Sequence, residues 1–141
     1  MGQIKQNQHK IKKLKRSIKI KDTQISKYIL PKIGDIGIMA MKSFTLTWLQ
    51  AETLRKIILK NLSKKGILLH KIHVSYPVTA RPIGTRMGKG KGSIQDWAMP
   101  VKKGHILFEI KNIKEEIAFN ALRLASLKLK IPMKIINKNK L

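Results

Sequence analysis

Carboxylates are scarce in this chain, with seven Asp and Glu against 31 Lys and Arg in 141 residues, a formal charge of +24. They stand at Asp22, Asp35, Glu52, Asp96, Glu109, Glu115 and Glu116, so the only close pair that acid–base chemistry could use is Glu115–Glu116. Stabilisation at a helix N-terminus explains that pair more simply. Cysteine is absent, which excludes disulfides, thiolate nucleophiles and thiolate metal sites together. No apolar run approaches the roughly 18 residues needed to cross a bilayer, and the cations are not confined to one amphipathic helix, so no membrane partner is expected. The basic start of the chain lacks an apolar core of roughly 7 to 15 residues with a small-residue cleavage site, which argues against a secretory signal. His70 and His73 lie in a β-branched stretch at a spacing that sends them to opposite faces of a strand, with no acid or thiol nearby. No metal and no cofactor are expected.

What is present is a foldable polycation. Apolar residues make up 43% of the chain, enough for one domain with one core, and the excess charge does not by itself imply disorder. Free of a partner, such a chain would repel itself, so an anionic partner is implied, and nucleic acid fits best. Between Glu52 and Asp96 there is no acid, while Arg55, Lys56, Lys60, Lys64, Lys65, Lys71, Arg81, Arg86, Lys89 and Lys91 fall inside that window. On sequence alone these read as ten uncompensated cations. Lys outnumbers Arg by 26 to 5 and Ile is the commonest apolar residue, a bias that points to an AT-rich coding sequence in an organelle or a bacterium. A mitochondrial import sequence would be rich in Arg and Ser, whereas residues 1–21 hold one of each. A protein working in an organelle would on that count be made there.

The pattern divides the chain into a basic arm, residues 1–32, and a single α+β domain, residues 33–141. The arm carries nine Lys plus Arg16 against Asp22, with Ile11, Leu14, Ile18 and Ile25 at helical spacing; it reads either as a solvated tail or, the preferred reading, as a segment that orders on RNA. A strand with a turn or bulge is expected over 33–41, where glycines interrupt Ile and Met. Thr47 and Gln50 form a capping box for a helix from Trp48 with Ala51, Leu54, Ile57, Ile58 and Leu62 inward, stopped at Gly66. Residues 67–76 read as one strand ended by Pro77, and 97–101 with 105–111 as a hairpin about the Lys102–Lys103–Gly104 turn. A second helix follows from Glu115 to near Leu129, with Ile117, Ala121, Leu124 and Ala125 as its apolar stripe, and residues 133–136 make a last strand. The expected fold is two helices packed on a mixed, largely antiparallel sheet.

The richest charge lies in Arg81–Trp97, RPIGTRMGKGKGSIQDW. Nucleotide-hydrolase spacing fails there, because the fifth residue after Gly84 is Lys89, where glycine is required, and the fifth after Gly88 is Ser93. The dinucleotide fingerprint fails as well, with Ser93 where a third Gly or Ala is wanted. No Ser, His and acid grouping is indicated, so no enzyme is expected.

The run Arg86-Met87-Gly88-Lys89-Gly90-Lys91-Gly92, followed after four residues by Trp97, resembles the signature of the bacterial large-subunit ribosomal protein sixteen family. The resemblance covers about Gly34 to Ile136 and includes Pro77 and Pro82 before the loop, ILFEI at 106–110 and EEIAFNALRLASLKL at 115–129. The chain departs from the family at Leu69, where Trp is usual, and in the arm, where Lys and Ile replace an Arg- and Gly-rich sequence. The resemblance implies a large-subunit constituent that binds rRNA, neighbours other ribosomal proteins and extends 81–97 toward the acceptor arm of aminoacyl-tRNA near the peptidyl-transferase region. The matched contact residues are Arg86, Met87, Gly88, Lys89, Gly90, Lys91 and Gly92, with Arg81 beside them and Trp97 as loop anchor. In physical terms the cations neutralise phosphate and the glycines let the main chain approach RNA. Lys12, Lys13, Lys15, Arg16, Arg55, Lys64, Lys65 and Lys71 are further candidate phosphate contacts. No homo-oligomer is expected. The implied location is a ribosome, mitochondrial and organelle-encoded by preference, otherwise plastid or bacterial. The competing class is a free-standing DNA-binding or chromatin-like protein, against which the first helix lacks the Asn, Gln and Arg cluster of a base-reading face.

Overall fold

The computed structural model describes Ile20 and residues 30–62, 66–88, 90–129 and 131–138. The elements run β1 (Ile36–Ala40), β2 (Phe44–Thr47), α1 (Trp48–Asn61), β3 (Ile67–His70), β4 (Tyr76–Ala80), β5 (Ser93–Val101), β6 (Ile106–Lys111), α2 (Glu115–Leu129) and β7 (Met133–Asn137). The arm and its helical pattern lie outside the described residues, Ile20, Leu30, Pro31 and Lys32 excepted.

The α+β expectation holds, with the strands divided between two sheets. A four-stranded sheet has the order β3-β6-β1-β7 and a three-stranded sheet the order β2-β5-β4. Every strand pair among the described residues is antiparallel. The expected hairpin at 102–104 is overturned by this division. β5 pairs with β2 and β4, while β6 pairs with β1 and β3. The turn instead hands the chain from one sheet to the other, stitched by Gly104 N to the Ala40 carbonyl at 2.8 Å and Ala40 N to the His105 carbonyl at 3.0 Å.

The strand expected over 67–76 breaks for the same reason. β3 ends at His70, and the chain then crosses between sheets with Ile72 and Val74 buried in the core. Pro77 does not end a strand. It lies buried within β4, an edge strand, where the missing N–H costs least. The short β2, a strand not expected above, alternates apolar and polar residues over Phe44–Thr47 and pairs with Ala98–Val101.

α1 begins as its capping box predicts, with Thr47 N donating to Gln50 Oε1 at 3.0 Å and Gln50 N donating to Thr47 Oγ1 at 3.4 Å. Such a cap contributes about 1 kcal/mol. The helix ends at Asn61, short of the expected Gly66. Leu62 turns extended there, packs against the core and donates its N–H to the Ile58 carbonyl at 2.9 Å. On α2 the buried residues are Ala118, Ala121, Leu122 and Ala125, so Ile117 and Leu124 of the expected stripe face outward. The three alanines let α2 come close to α1, whose buried side is Ala51, Leu54 and Ile58. Phe108, Ile38, Leu46 and Leu107 fill the core beneath.

Candidate nucleic-acid interface

β4 and β5 carry the segment 81–92 between them. Their pairing ends with Ala80 opposite Ser93, after a register slip between Val78 and Thr79. At that root a Cβ on Gly92 would lie 2.3 Å from the Ala80 carbonyl oxygen. No side-chain carbon comes so close to backbone, so glycine at 92 is required by the chain's own packing. Arg81 bends back over the root and donates from its guanidinium to the Gly90 carbonyl. The start of the loop is a turn in which Thr85 N and Thr85 Oγ1 both donate to the Pro82 carbonyl, at 3.3 and 2.8 Å.

Farther out the reason for glycine changes. Gly88 and Gly90 have φ of 99° and 80°, and nothing lies within 4 Å of where their Cβ atoms would stand. What they supply is the left-handed dihedral. Every described residue from Arg81 to Lys91 is exposed. Two apolar side chains, Ile83 and Met87, stand 105% and 94% exposed. Arg86 has no acidic partner among the described residues. Lys89 lies outside the described residues. Trp97 sits in β5 opposite Pro77, part-buried against the core.

The other candidate cations fare differently. Arg55 donates to Glu52 through Nε at 3.0 Å and Nη2 at 2.8 Å. That bond is the chief cause holding the Glu52 carboxyl below its ordinary pKa and the Arg55 guanidinium above its own. Lys71 donates to Glu109. Two of the ten cations that read as uncompensated are therefore matched by acids at or beyond the edge of their window. Lys12, Lys13, Lys15, Arg16, Lys64 and Lys65 lie outside the described residues. Of His70 and His73, the first ends β3 and the second lies in the crossing segment; among the described residues no three His, Cys, Asp or Glu come together to hold a metal. No helix among them is long and apolar enough to cross a membrane.

Glu109 is the feature that sequence reading misses. It is the one fully buried charged residue among those described. Besides Lys71, its oxygens accept the backbone N–H groups of Lys32 at 3.1 Å, Ile33 at 3.0 Å and Gly34 at 2.9 Å. Burial pushes its pKa up, but Lys71 and these three amides outweigh it and hold the carboxyl at about 2. Gly34 makes the approach possible, since a Cβ there would lie 2.7 Å from the Glu109 Cβ. The carboxylate thus clamps the segment through which residues 1–30 join the domain. A lone acid in the apolar run Ile106–Ile110, on a strand with both faces covered, is the signal that could have revealed it.

The geometry is that of a packed scaffold which neutralises its inward charges and extends a glycine-rich cationic loop. The family model for Ribosomal protein L16p/L10e matches residues 5–136. The chain belongs to the ribosomal protein L16p/L10e family. The match reaches back into the arm, beyond the Gly34 boundary at which the sequence resemblance begins. Large ribosomal subunit protein uL16c of Cyanidium caldarium is 43% identical over 104 residues, 74% of each chain. Large ribosomal subunit protein uL16 of Fusobacterium nucleatum is 40% identical over 105 residues, 74% of this chain and 73% of that one. The uL16 protein of Chelativorans sp. is also 40% identical over 105 residues, 74% of this chain and 77% of its own length. As an L16p/L10e protein the chain is a structural constituent of the large ribosomal subunit and not an enzyme, and the ribosome is its location.

Proposed function

We propose that this L16p/L10e protein binds large-subunit rRNA and extends the 81–97 loop toward the acceptor arm of aminoacyl-tRNA near the peptidyl-transferase region, supporting assembly and tRNA accommodation. The observation that carries the proposal is the segment between β4 and β5, whose described residues from Arg81 to Lys91 are all exposed, with Arg86 and Lys91 on it and no acid before Asp96. Arg86, Lys89 and Lys91 meet phosphate there, and the exposed Ile83 and Met87 give the loop apolar surface for unstacked bases. Arg81 braces the loop from within.

The division of labour is an arm, residues 1–32, that orders on rRNA through Lys12, Lys13, Lys15 and Arg16, and a domain, residues 33–141, that Glu109 ties to it. The Lys-rich, Ile-rich composition favours a mitochondrial ribosome with the gene in the organelle. Comigration with large subunits through moderate salt is the expected behaviour in sedimentation, and a pool held on DNA would sink the proposal. Replacing Arg86, Lys89 and Lys91 together with Ala should impair tRNA binding or subunit maturation while helix content stays unchanged; normal translation in that variant would refute the loop assignment.

A further inference from the structure

At the far end of β5 from the loop, three distant pieces of chain are sewn together by backbone hydrogen bonds. Gly104 N donates to the Ala40 carbonyl, and Met41 N donates to the Pro132 carbonyl at 3.0 Å. Lys103 N donates to Ser43 Oγ at 3.1 Å. This brings Lys42, Lys102 and Lys103 to one end of the domain, with Lys134 one residue along β7 from Met133, the partner of Ala40. All four side chains are exposed. No acid faces them among the described residues. Asp35, Glu109, Glu115 and Glu116 lie toward the opposite end of the four-stranded sheet, where Ile36 pairs with Ile110. Glu52 is taken by Arg55, and Asp96 accepts the Trp97 N–H within β5. The carboxyl-terminal end of α2 also points this way, and its unfavourable dipole is offset by Lys128 in the last turn.

The nine residues of β5 put this cluster roughly 25 Å from the root of the 81–92 loop at about 3.3 Å per residue. The two cationic poles lie at opposite ends of β5, so each addresses phosphates that the other does not reach. We propose that Lys42, Lys102, Lys103 and Lys134 form a second RNA-backbone contact, and that the domain bridges two segments of folded RNA with β5 as the spacer. This rests on the reading of the chain as an rRNA-binding constituent. This pole is built from turns locked by backbone bonds, so the backbone that carries its cations is ordered before binding.

Because the chain has no cysteine, single Met87→Cys and Lys103→Cys variants each give one unique tether for an iron–EDTA chelate. Reconstituted large subunits carrying either tether should show hydroxyl-radical cuts in rRNA, at two separate segments. Cuts from Met87→Cys with none from Lys103→Cys would overturn the second contact and leave the proposed function standing. Silence from both would overturn the two together. With the full chain on deproteinised large-subunit rRNA, the Lys42→Ala/Lys102→Ala/Lys103→Ala variant should lower the slope of log K against log salt by about two, at roughly 0.7 to 0.9 per lost phosphate contact. An unchanged slope, or crosslinking of Lys103→Cys to a neighbouring protein in place of RNA, would also overturn it.

Discussion

Lys71 and Arg86 are both basic residues of the same acid-free stretch of chain, yet they serve opposite ends. Lys71 turns inward onto Glu109, whose carboxylate also holds three backbone amides at the root of the arm. Arg86 sits on an exposed loop whose described residues include no acid. The clamp satisfies its charge within the fold, while Arg86 on the loop meets no acid among the described residues. A polycation of this kind folds by placing its few acids where the chain must be held, and the loop proposed to bind has none before Asp96. The clamp should therefore govern stability and the loop should govern affinity.

The largest expected effect comes from breaking the clamp. Glu109→Ala leaves the Lys71 ammonium and three amides without their acceptor in a part-buried site; loss of one partner of a fully buried ion pair costs about 3–5 kcal/mol, an upper bound here because the Lys71 side chain is 28% exposed. Urea unfolding should show that loss. A change below about 1 kcal/mol would mean that water replaces the carboxylate easily, and the contrast with the loop would fall. The next effect is acid sensitivity. The Glu109 carboxyl is held at about 2, below its ordinary 4.5, so the folded state gives up this proton more readily than the unfolded chain. Its contribution is complete above about pH 4.5 and is lost as pH falls from there toward 2, roughly 3 kcal/mol in all. Melting of the wild type against Glu109→Gln should show the wild type losing its advantage across that interval; parallel curves would contradict the assignment.

Local chemistry made part of this legible from residues alone. The Thr47–Gln50 box and the Glu115–Glu116 start need only neighbours in sequence, and both helices begin where expected. The phase of α2 was not legible, because apolar residues at 117, 118, 119, 121, 122, 124, 125, 127 and 129 support several stripes. Only the approach of α1 selects the alanines. Strand partnership is non-local too, and nothing in Lys102–Lys103–Gly104 tells a hairpin from a crossing between sheets. The loop's cations and glycines were legible, but the glycines carry two different requirements that spacing cannot separate.

Those two requirements give the finest test of the comparison, since the loop has a packed root and an open tip. At Gly92 a methyl group would meet the Ala80 carbonyl oxygen at 2.3 Å, and Gly92 adjoins Ser93, the partner of Ala80 in the last rung between β4 and β5, so backbone must move. Gly92→Ala should cost about 1–3 kcal/mol, the range for overpacking a site that cannot yield. At Gly88 the same methyl meets nothing within 4 Å, and only the φ of 99° resists it. An exposed loop relieves such strain by shifting its own dihedrals, so Gly88→Ala should change global stability by less than about 1 kcal/mol. Urea midpoints of the two variants decide it. Equal losses would mean that the tip is packed as tightly as the root, and the loop would then be part of the scaffold and no longer a free arm for binding.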